Sequence, residues 1–264
     1  MITSSSNARV KQLISWQKKA KGRAEDGVYI VEGLRMFVEA PRDKVREVYV
    51  SESFYKKRRE ELKLDTWGKK LEILSDSVYE HVSDTKTPQG VLVVMEQTKY
   101  SLELFLEEKD GRKPLLMVLD NLQDPGNLGT ILRAGEAAGV TGVILSSDCV
   151  DIYNPKVIRS TMGSMFRMPF LYVEHLPQTV RKLKDHGIHT YAAHLKGQHS
   201  YEEADYVCGT AFLIGNEGNG LRDEVAKEAE IYIKIPMCGE VESLNAAIAA
   251  SVLMFEAARQ RRQN

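Results

Sequence analysis

The chain has 264 residues, 43% of them apolar and 28% charged, and a formal net charge of −1. This fits a soluble globular protein of one large or two ordinary domains. No apolar run is long enough to span a bilayer. The start, Met1-Ile-Thr-Ser-Ser-Ser-Asn7, lacks the apolar core of a secretory signal. The expected location is therefore cytoplasmic, with no membrane partner. Cys149, Cys208 and Cys238 are odd in number and widely spaced, as expected of free thiols in a reducing compartment. The six histidines show no metal-ligand spacing, so no metal is expected.

In chain order, Ser6 to Ala20 carries Val10, Leu13, Ile14 and Gln17 at helical spacing. Arg9, Lys11, Lys18, Lys19, Lys21 and Arg23 fall in the first 24 residues, which hold no acid. A clustered basic face on a near-neutral chain suits a local phosphate footprint, although a solvated basic helix would look the same. Strand-like Val28–Val31, Val45–Val50, Leu71–Leu74 and Pro88–Met95 alternate with helical stretches at 32–40, 52–62 and 76–82. Residues 97–113 are polar and read as a connection, and acids such as Glu103, Glu107, Glu108 and Asp110 gather there.

A second block follows. Strands are expected at 115–119, 142–146, 170–173, 188–193, 211–214 and 232–235. Helices are expected at 126–138, 155–165, 178–186, 221–229 and 243–262. Such alternation argues a parallel sheet covered on both faces. The phosphate fingerprints fail, since no Gly-x-Gly-x-x-Gly follows the first strand and no Walker lysine follows Gly126 or Gly129. A dinucleotide oxidoreductase is therefore disfavoured.

Two apolar runs near the end each feed a polar loop, Gly215-Asn-Glu-Gly-Asn-Gly-Leu221 and Ile235-Pro-Met-Cys-Gly-Glu-Val-Glu-Ser-Leu-Asn245. Loops at the carboxyl ends of strands are where α/β sheets bind ligands. Together with Asp120-Asn-Leu-Gln-Asp-Pro-Gly-Asn-Leu-Gly-Thr-Ile-Leu-Arg133, they resemble, in order and separation, the three motifs of the SpoU/TrmH family of RNA ribose methyltransferases in the SPOUT superfamily. Ser4-Ser-Ser-Asn-Ala-Arg-Val-Lys11, Val31-Glu-Gly-Leu-Arg35 and Thr87-Pro-Gln-Gly90 resemble the substrate-binding domain of many members.

The resemblance implies an α/β chain in two parts. Residues 1–98 would form a small ribosomal-protein-like RNA-binding domain with its basic arm, 99–112 a linker, and 113–264 a trefoil-knotted SPOUT domain. It further implies S-adenosylmethionine as cofactor, a homodimer through the C-terminal domain, and methylation of a ribose 2′-hydroxyl. Large-subunit ribosomal RNA is the favoured substrate. A transfer RNA target, or a non-catalytic RNA-binding role, is the alternative.

Carried over residue by residue, the catalytic candidates are Asn127, Arg133, Glu217, Ser243 and Asn245. The cofactor candidates are Leu195, Gly215, Ile235, Met237 and Leu244. Arg9, Lys11, Lys18, Lys19, Lys21, Arg23 and Arg159 are the RNA-binding candidates. Each has a plainer explanation. Gly215 could merely end a strand, with Ile235 and Leu244 in the core. Asn216 to Gly220 could be only a turn. Ser243 could be the N-cap of the last helix, and Arg133 a surface residue. Under the resemblance Glu217 is expected to be a buried carboxylate aimed at the site. Arginine stays charged at neutral pH, so Arg133 suits a phosphate clamp better than a general base. The last helix is apolar nearly all round, as a core helix or a subunit interface would be.

Overall fold

Two sheets organise the chain in a computed structural model that describes residues 1–109 and 111–263. Asp110, one of the acids in the expected linker, and Asn264, the last residue of the expected catalytic domain, lie outside the described residues. Contacts divide the chain into unit 1, Met1–Thr98 with Asp151–Phe166, and unit 2, Lys99–Val150 with Arg167–Asn264.

Unit 1 begins with α1 (Ala8–Lys18), capped by Asn7, whose side chain accepts from the Arg9 N–H. The expected single helix breaks at Lys19, which is extended (φ −119°, ψ 113°). A second helix, α2 (Ala20–Asp26), follows. The sequence could not signal α2 by periodicity, since Arg23 is its one buried residue. Next come β1 (Val28–Glu32), α3 (Leu34–Glu39), β2 (Val45–Ser51), α4 (Glu52–Arg58), β3 (Leu71–Leu74), α5 (Asp76–Val82) and β4 (Val91–Glu96).

The strands stand in the order β1-β4-β2-β3. Only β2 and β3 run parallel; β4 is antiparallel to both of its neighbours. The loop before β4 explains this. Ser51 N–H donates to Gly90 O (2.9 Å) and Gly33 N–H to Val91 O (3.0 Å). Strand β4 therefore starts beside the carboxyl ends of β1 and β2 and runs back. Gly90 has φ +86°, and a Cβ there would meet Phe54 Cβ at 2.7 Å. Only glycine fits that corner.

Unit 2 opens with α6 (Glu103–Leu106), whose Phe105 is buried in that unit's core with Tyr100, Leu102 and Leu106 packed against it, so the polar connection is anchored by its few apolar side chains. It continues through β5 (Leu115–Leu119), α7 (Pro125–Ala138) and β6 (Gly142–Ser146). Then α8 (Pro155–Thr161) belongs to unit 1, where Ile158 and Met165 join the core around Val31, Val48 and Val93. A segment that the motif spacing assigns to the C-terminal domain thus packs with the N-terminal strands.

The chain finishes in unit 2 with β7 (Phe170–Val173), α9 (Leu176–Asp185), β8 (His189–Ala193), β9 (His199–Ser200), β10 (Thr210–Ile214), α10 (Asp223–Ala226), β11 (Ile231–Lys234) and α11 (Ala246–Gln263). The seven strands stand in the order β7-β6-β5-β10-β8-β11-β9, with every pairing parallel. Every residue of β5 and β10 is buried, as central strands covered on both faces require. Helix α7 packs on α11, with Gly135 admitting Met254. The topological switch lies here: β6 and β7 build outward on one side of β5, whereas β10 and β8 lie on the other. Ligands of open α/β sheets bind at the carboxyl ends near such a point.

Candidate active site

At those carboxyl ends the loop after β10 closes on itself. Asn216 N–H donates to Gly220 O (3.0 Å) and Gly220 N–H to Asn216 O (2.9 Å). The Asn216 side chain accepts from Gly218 N–H (2.9 Å) and donates to Asn121 O (2.8 Å). A Cβ on Gly215 would lie 2.0 Å from the Gly220 carbonyl carbon, so nothing larger than glycine admits the closure. The turn and the site are thus one object. Asn121 itself has φ +53°, a conformation that asparagine tolerates better than most residues.

The turn presents Glu217 to the loop after β5. Its carboxylate accepts from the N–H groups of Gln123 (3.2 Å) and Asp124 (3.0 Å) and from Asn127 Nδ2 (2.9 Å). Glu217 is exposed, which corrects the expectation of a buried carboxylate; it is held by donors. Partial desolvation is the largest single influence and pushes its pKa up. The bonds from Asn127 and from the backbone outweigh it together, so the group sits below its ordinary 4.5. Asn127 Oδ1 in turn accepts from Asn245 Nδ2 (2.9 Å). Asn245 Oδ1 accepts from the N–H groups of Ala247 (2.9 Å) and Ile248 (3.3 Å).

Asn245 is therefore the N-cap of α11. The sequence placed the start at Ser243, but the extended tract carries on two residues further, and a side-chain amide caps as well as a hydroxyl does. Asn127, Glu217 and Asn245 come together as one hydrogen-bonded set. Ser243 lines the neighbouring cavity, exposed and without a hydrogen-bond partner among the described residues. Arg133 lies on α7, exposed, also with no hydrogen-bond or ion-pair partner among the described residues.

A cavity of about 720 Å³ opens beyond the ends of β8, β10 and β11, within the ~300–1,000 Å³ range of small-molecule sites. Leu195, Gly215, Ile235, Met237 and Leu244 all line it, as do Glu217, Lys196 and Asp223. Leu195 is 67% exposed, a large apolar side chain left in water at the rim. Apolar side chains and bare backbone suit a flat aromatic ring, and the charged groups suit a zwitterionic tail. These residues fit S-adenosylmethionine.

A second network, which was not among the sequence-based candidates, stands behind these loops. Asp120 is fully buried. It accepts from the Arg222 backbone N–H (2.9 Å), from Arg222 Nε (2.8 Å) and from Nη2. Arg222 Nη1 also reaches Asp148 (3.1 Å), whose other carboxylate oxygen accepts from Ser146 Oγ (2.5 Å). The Asp120 carboxylate holds the Arg222 guanidinium above its ordinary pKa. No local pattern links residues 102 positions apart; the only signal was that both stand at the edges of motifs.

The RNA-binding candidates lie in unit 1. Lys11, Lys18 and Lys19 are exposed and have no ion-pair partner among the described residues. Lys21 faces Glu25 (3.8 Å), Arg9 binds Glu72 (2.7 Å) and Arg159 binds Asp84 (2.8 Å). Arg23 departs from expectation. Its side chain is 6% exposed, bonded to Asp151 Oδ2 (2.5 Å) and to the carbonyls of Trp16 (2.6 Å) and Gln17 (3.1 Å). It anchors unit 1 and is not available to a phosphate. Among the described residues no metal-binding cluster of His, Cys, Asp or Glu forms, and no described helix is long and apolar enough to cross a membrane.

Residues 114–255 match the SpoU rRNA Methylase family, and residues 7–93 match the MRM3-like substrate binding domain. The chain is 31% identical over 258 residues to the 23S rRNA (guanosine(2553)-2′-O)-methyltransferase RlmP of Bacillus subtilis, covering 96% of this chain and 97% of that protein. Among solved structures, the AdoMet-bound rRNA methyltransferase from Sinorhizobium meliloti superposes with a TM-score of 0.84 at 31% identity, over 98% of this chain and 97% of that one. The SpoU methyltransferase AviRb from Streptomyces viridochromogenes, in complex with AdoMet, gives 0.84 at 28% identity, over 98% of this chain and 100% of that one.

Proposed function

The chain belongs to the SpoU rRNA methylase family, and from that premise we propose that it methylates a ribose 2′-hydroxyl of large-subunit ribosomal RNA. It is an RNA methyltransferase, and its methyl donor is S-adenosylmethionine. The observation that carries the choice of substrate is full-length similarity, through both units, to a relative whose name specifies 23S rRNA. Mapping ribose methylation across total RNA from cells with and without the gene tests it. A lost mark in large-subunit rRNA is expected; a lost mark in transfer RNA alone would refute the assignment.

When bound, S-adenosylmethionine supplies an electrophilic methyl carbon on a sulfonium. The protein supplies position. Gly215, Ile235, Met237 and Leu244 line the cofactor cavity, and Leu195 covers its rim. The Glu217–Asn127–Asn245 set fixes the three loops against one another. Arg133 clamps the phosphate beside the target ribose with its planar fork, which no partner among the described residues engages. Holding the 2′-oxygen in line for attack accounts for much of the rate. The proton released from the 2′-hydroxyl passes to solvent water, and the Ser243 hydroxyl, on the cavity wall with no hydrogen-bond partner among the described residues, is placed to relay it.

RNA selection belongs to residues 1–98, whose free lysines offer phosphate contacts. The protein works as a homodimer through α11. Ile248 and Phe255 are 51% and 46% exposed on one helical face with half-buried Val252 between them, an apolar stripe that calls for cover. The trefoil knot that accompanies such dimers, and a cytoplasmic location, complete this reading. Sedimentation of a Phe255→Asp variant checks the dimer: a monomer is expected, and an unchanged mass would remove α11 from the interface.

A further inference from the structure

We propose that Arg222 is a positioning residue of the cofactor wall, acting through buried Asp120. The inference rests on the cavity being the S-adenosylmethionine site. Neither Arg222, Asp120 nor Asp148 lines that cavity, whereas Leu221 and Asp223, on either side of Arg222, both do. The arginine therefore acts from behind. Its backbone N–H and its guanidinium grip the same carboxylate, Oδ2 and Oδ1 respectively, at the end of β5. That fixes the point where the 215–221 wall rejoins the body.

The grip extends to both neighbouring loops. Through Nη1, Arg222 holds Asp148 in the loop after β6. The carbonyl of Asp148 accepts from Gln123 Nε2 (2.6 Å), and the backbone N–H of Gln123 is one of the donors that hold Glu217. The far end of the same turn is tied by Asn216 to Asn121, next to Asp120. Each end of the cofactor wall is thus fastened to adjacent residues of one loop, and its carboxylate to the residues just beyond. A lysine could neutralise Asp120, but its point charge cannot hold two carboxylates in a fixed plane. A side chain that sets a wall without touching the ligand alters affinity for the ligand more than it alters the chemistry once the ligand is saturating.

The test compares Arg222→Lys and the double variant Asp120→Asn/Arg222→Gln, which removes the buried charge together with its partner and so guards against simple misfolding. Arg261→Lys is the control. Arg261 binds the carbonyls of Tyr206, Lys113, Pro114 and Cys208 near the amino ends of β5 and β10, so its loss weakens the fold away from the cavity. Calorimetry with S-adenosylmethionine and steady-state methylation of ribosomal RNA are measured for each folded protein. Both Arg222 variants are expected to raise the cofactor Kd and KM by about tenfold or more, with kcat at saturating cofactor within about threefold. Arg261→Lys should lower the thermal midpoint without changing the cofactor Kd. Wild-type affinity in the folded double variant overturns the proposal alone. An equal rise in Kd for Arg261→Lys overturns it too, by reducing the effect to general stability. Wild-type protein that fails to bind S-adenosylmethionine overturns it together with the assignment of the cavity.

Discussion

The two units treat their charges in opposite ways. Unit 1 carries 20 Lys and Arg against 16 Asp and Glu, a net of +4; unit 2 carries 16 against 21, a net of −5. The overall −1 conceals this division. On the arm of unit 1, Lys11, Lys18 and Lys19 stand in water without a protein partner among the described residues. In the pocket loops of unit 2, Glu217, Asp120, Arg222 and Asp148 are bonded to one another or to backbone. Charges that meet an incoming polyanion stay free, whereas charges that shape a pocket are committed. Arg133 departs from this, as do Lys196 and Asp223 on the cavity lining, which also have no side-chain partner among the described residues; of the three only Arg133 carries the planar fork that suits a phosphate.

The largest effect should come from that exception. Arg133→Ala is expected to lower kcat by about 10²-fold or more, as loss of a positioning contact can. Cofactor affinity should stay within twofold, and stability within ~0.5 kcal/mol, because an exposed side chain with no partner among the described residues supports nothing else. Arg133→Lys should not restore the rate, since an ammonium lacks the planar fork. A fully active lysine variant would end the clamp.

Arg23 tests the comparison from the other side. Arg23→Gln should cost about 1.5–3 kcal/mol of unit 1 stability, the range for hydrogen bonds to a charged group. Chemical denaturation measures it. Replacing Lys11, Lys18, Lys19 and Lys21 by Gln should leave stability nearly unchanged and flatten the slope of log RNA affinity against log salt. Each phosphate contact contributes roughly 0.7–0.9 to that slope, so the change is up to about three units. If the Arg23 variant alone flattens the slope, the assignment of free and committed cations is reversed.

The smallest effect concerns pH. The Glu217 pKa is depressed in the folded protein, so its contribution is present above the ordinary 4.5 and is lost as pH falls through the lower folded value. Glu217→Gln should therefore be less stable than wild type at neutral pH, and the gap should close in acid below about 4.5. A gap that is constant down to pH ~3 would show that the carboxylate charge plays no part in holding the loop.

Much of this was legible in the residues. The parallel sheet of unit 2 followed from its alternating apolar runs, and five cofactor candidates spread from Leu195 to Leu244 line one cavity. What stayed hidden depends on tertiary pairing. Helix α2 has no apolar face for periodicity to detect. The antiparallel course of β4 is set by where Gly90 lies beside Ser51 and Gly33, which no local pattern encodes. The burial of Arg23 depends on Asp151, 128 positions away. Asn245 and Ser243 are both good caps by type, and only the path of the chain decides between them.

The strand order of unit 2 also has a consequence in time. Strand β10 sits at the centre of its sheet, between β5 and β8, although it is among the last strands in the chain. During synthesis at ~5–20 residues per second, roughly 5–20 s separate the emergence of Leu115–Leu119 from that of Thr210–Ile214. Through that interval β5, apolar at every position, can pair with β6 on one side, but the backbone N–H and C=O groups of its other edge have no partner. Ribosome-bound chains halted near residue 200 should therefore be digested readily by protease and retained by chaperones, and release of the finished chain should protect them. Protease resistance already complete at that length would mean that the edge is covered by something other than β10. For a cell making this enzyme, the hazardous moment is the wait for its own central strand.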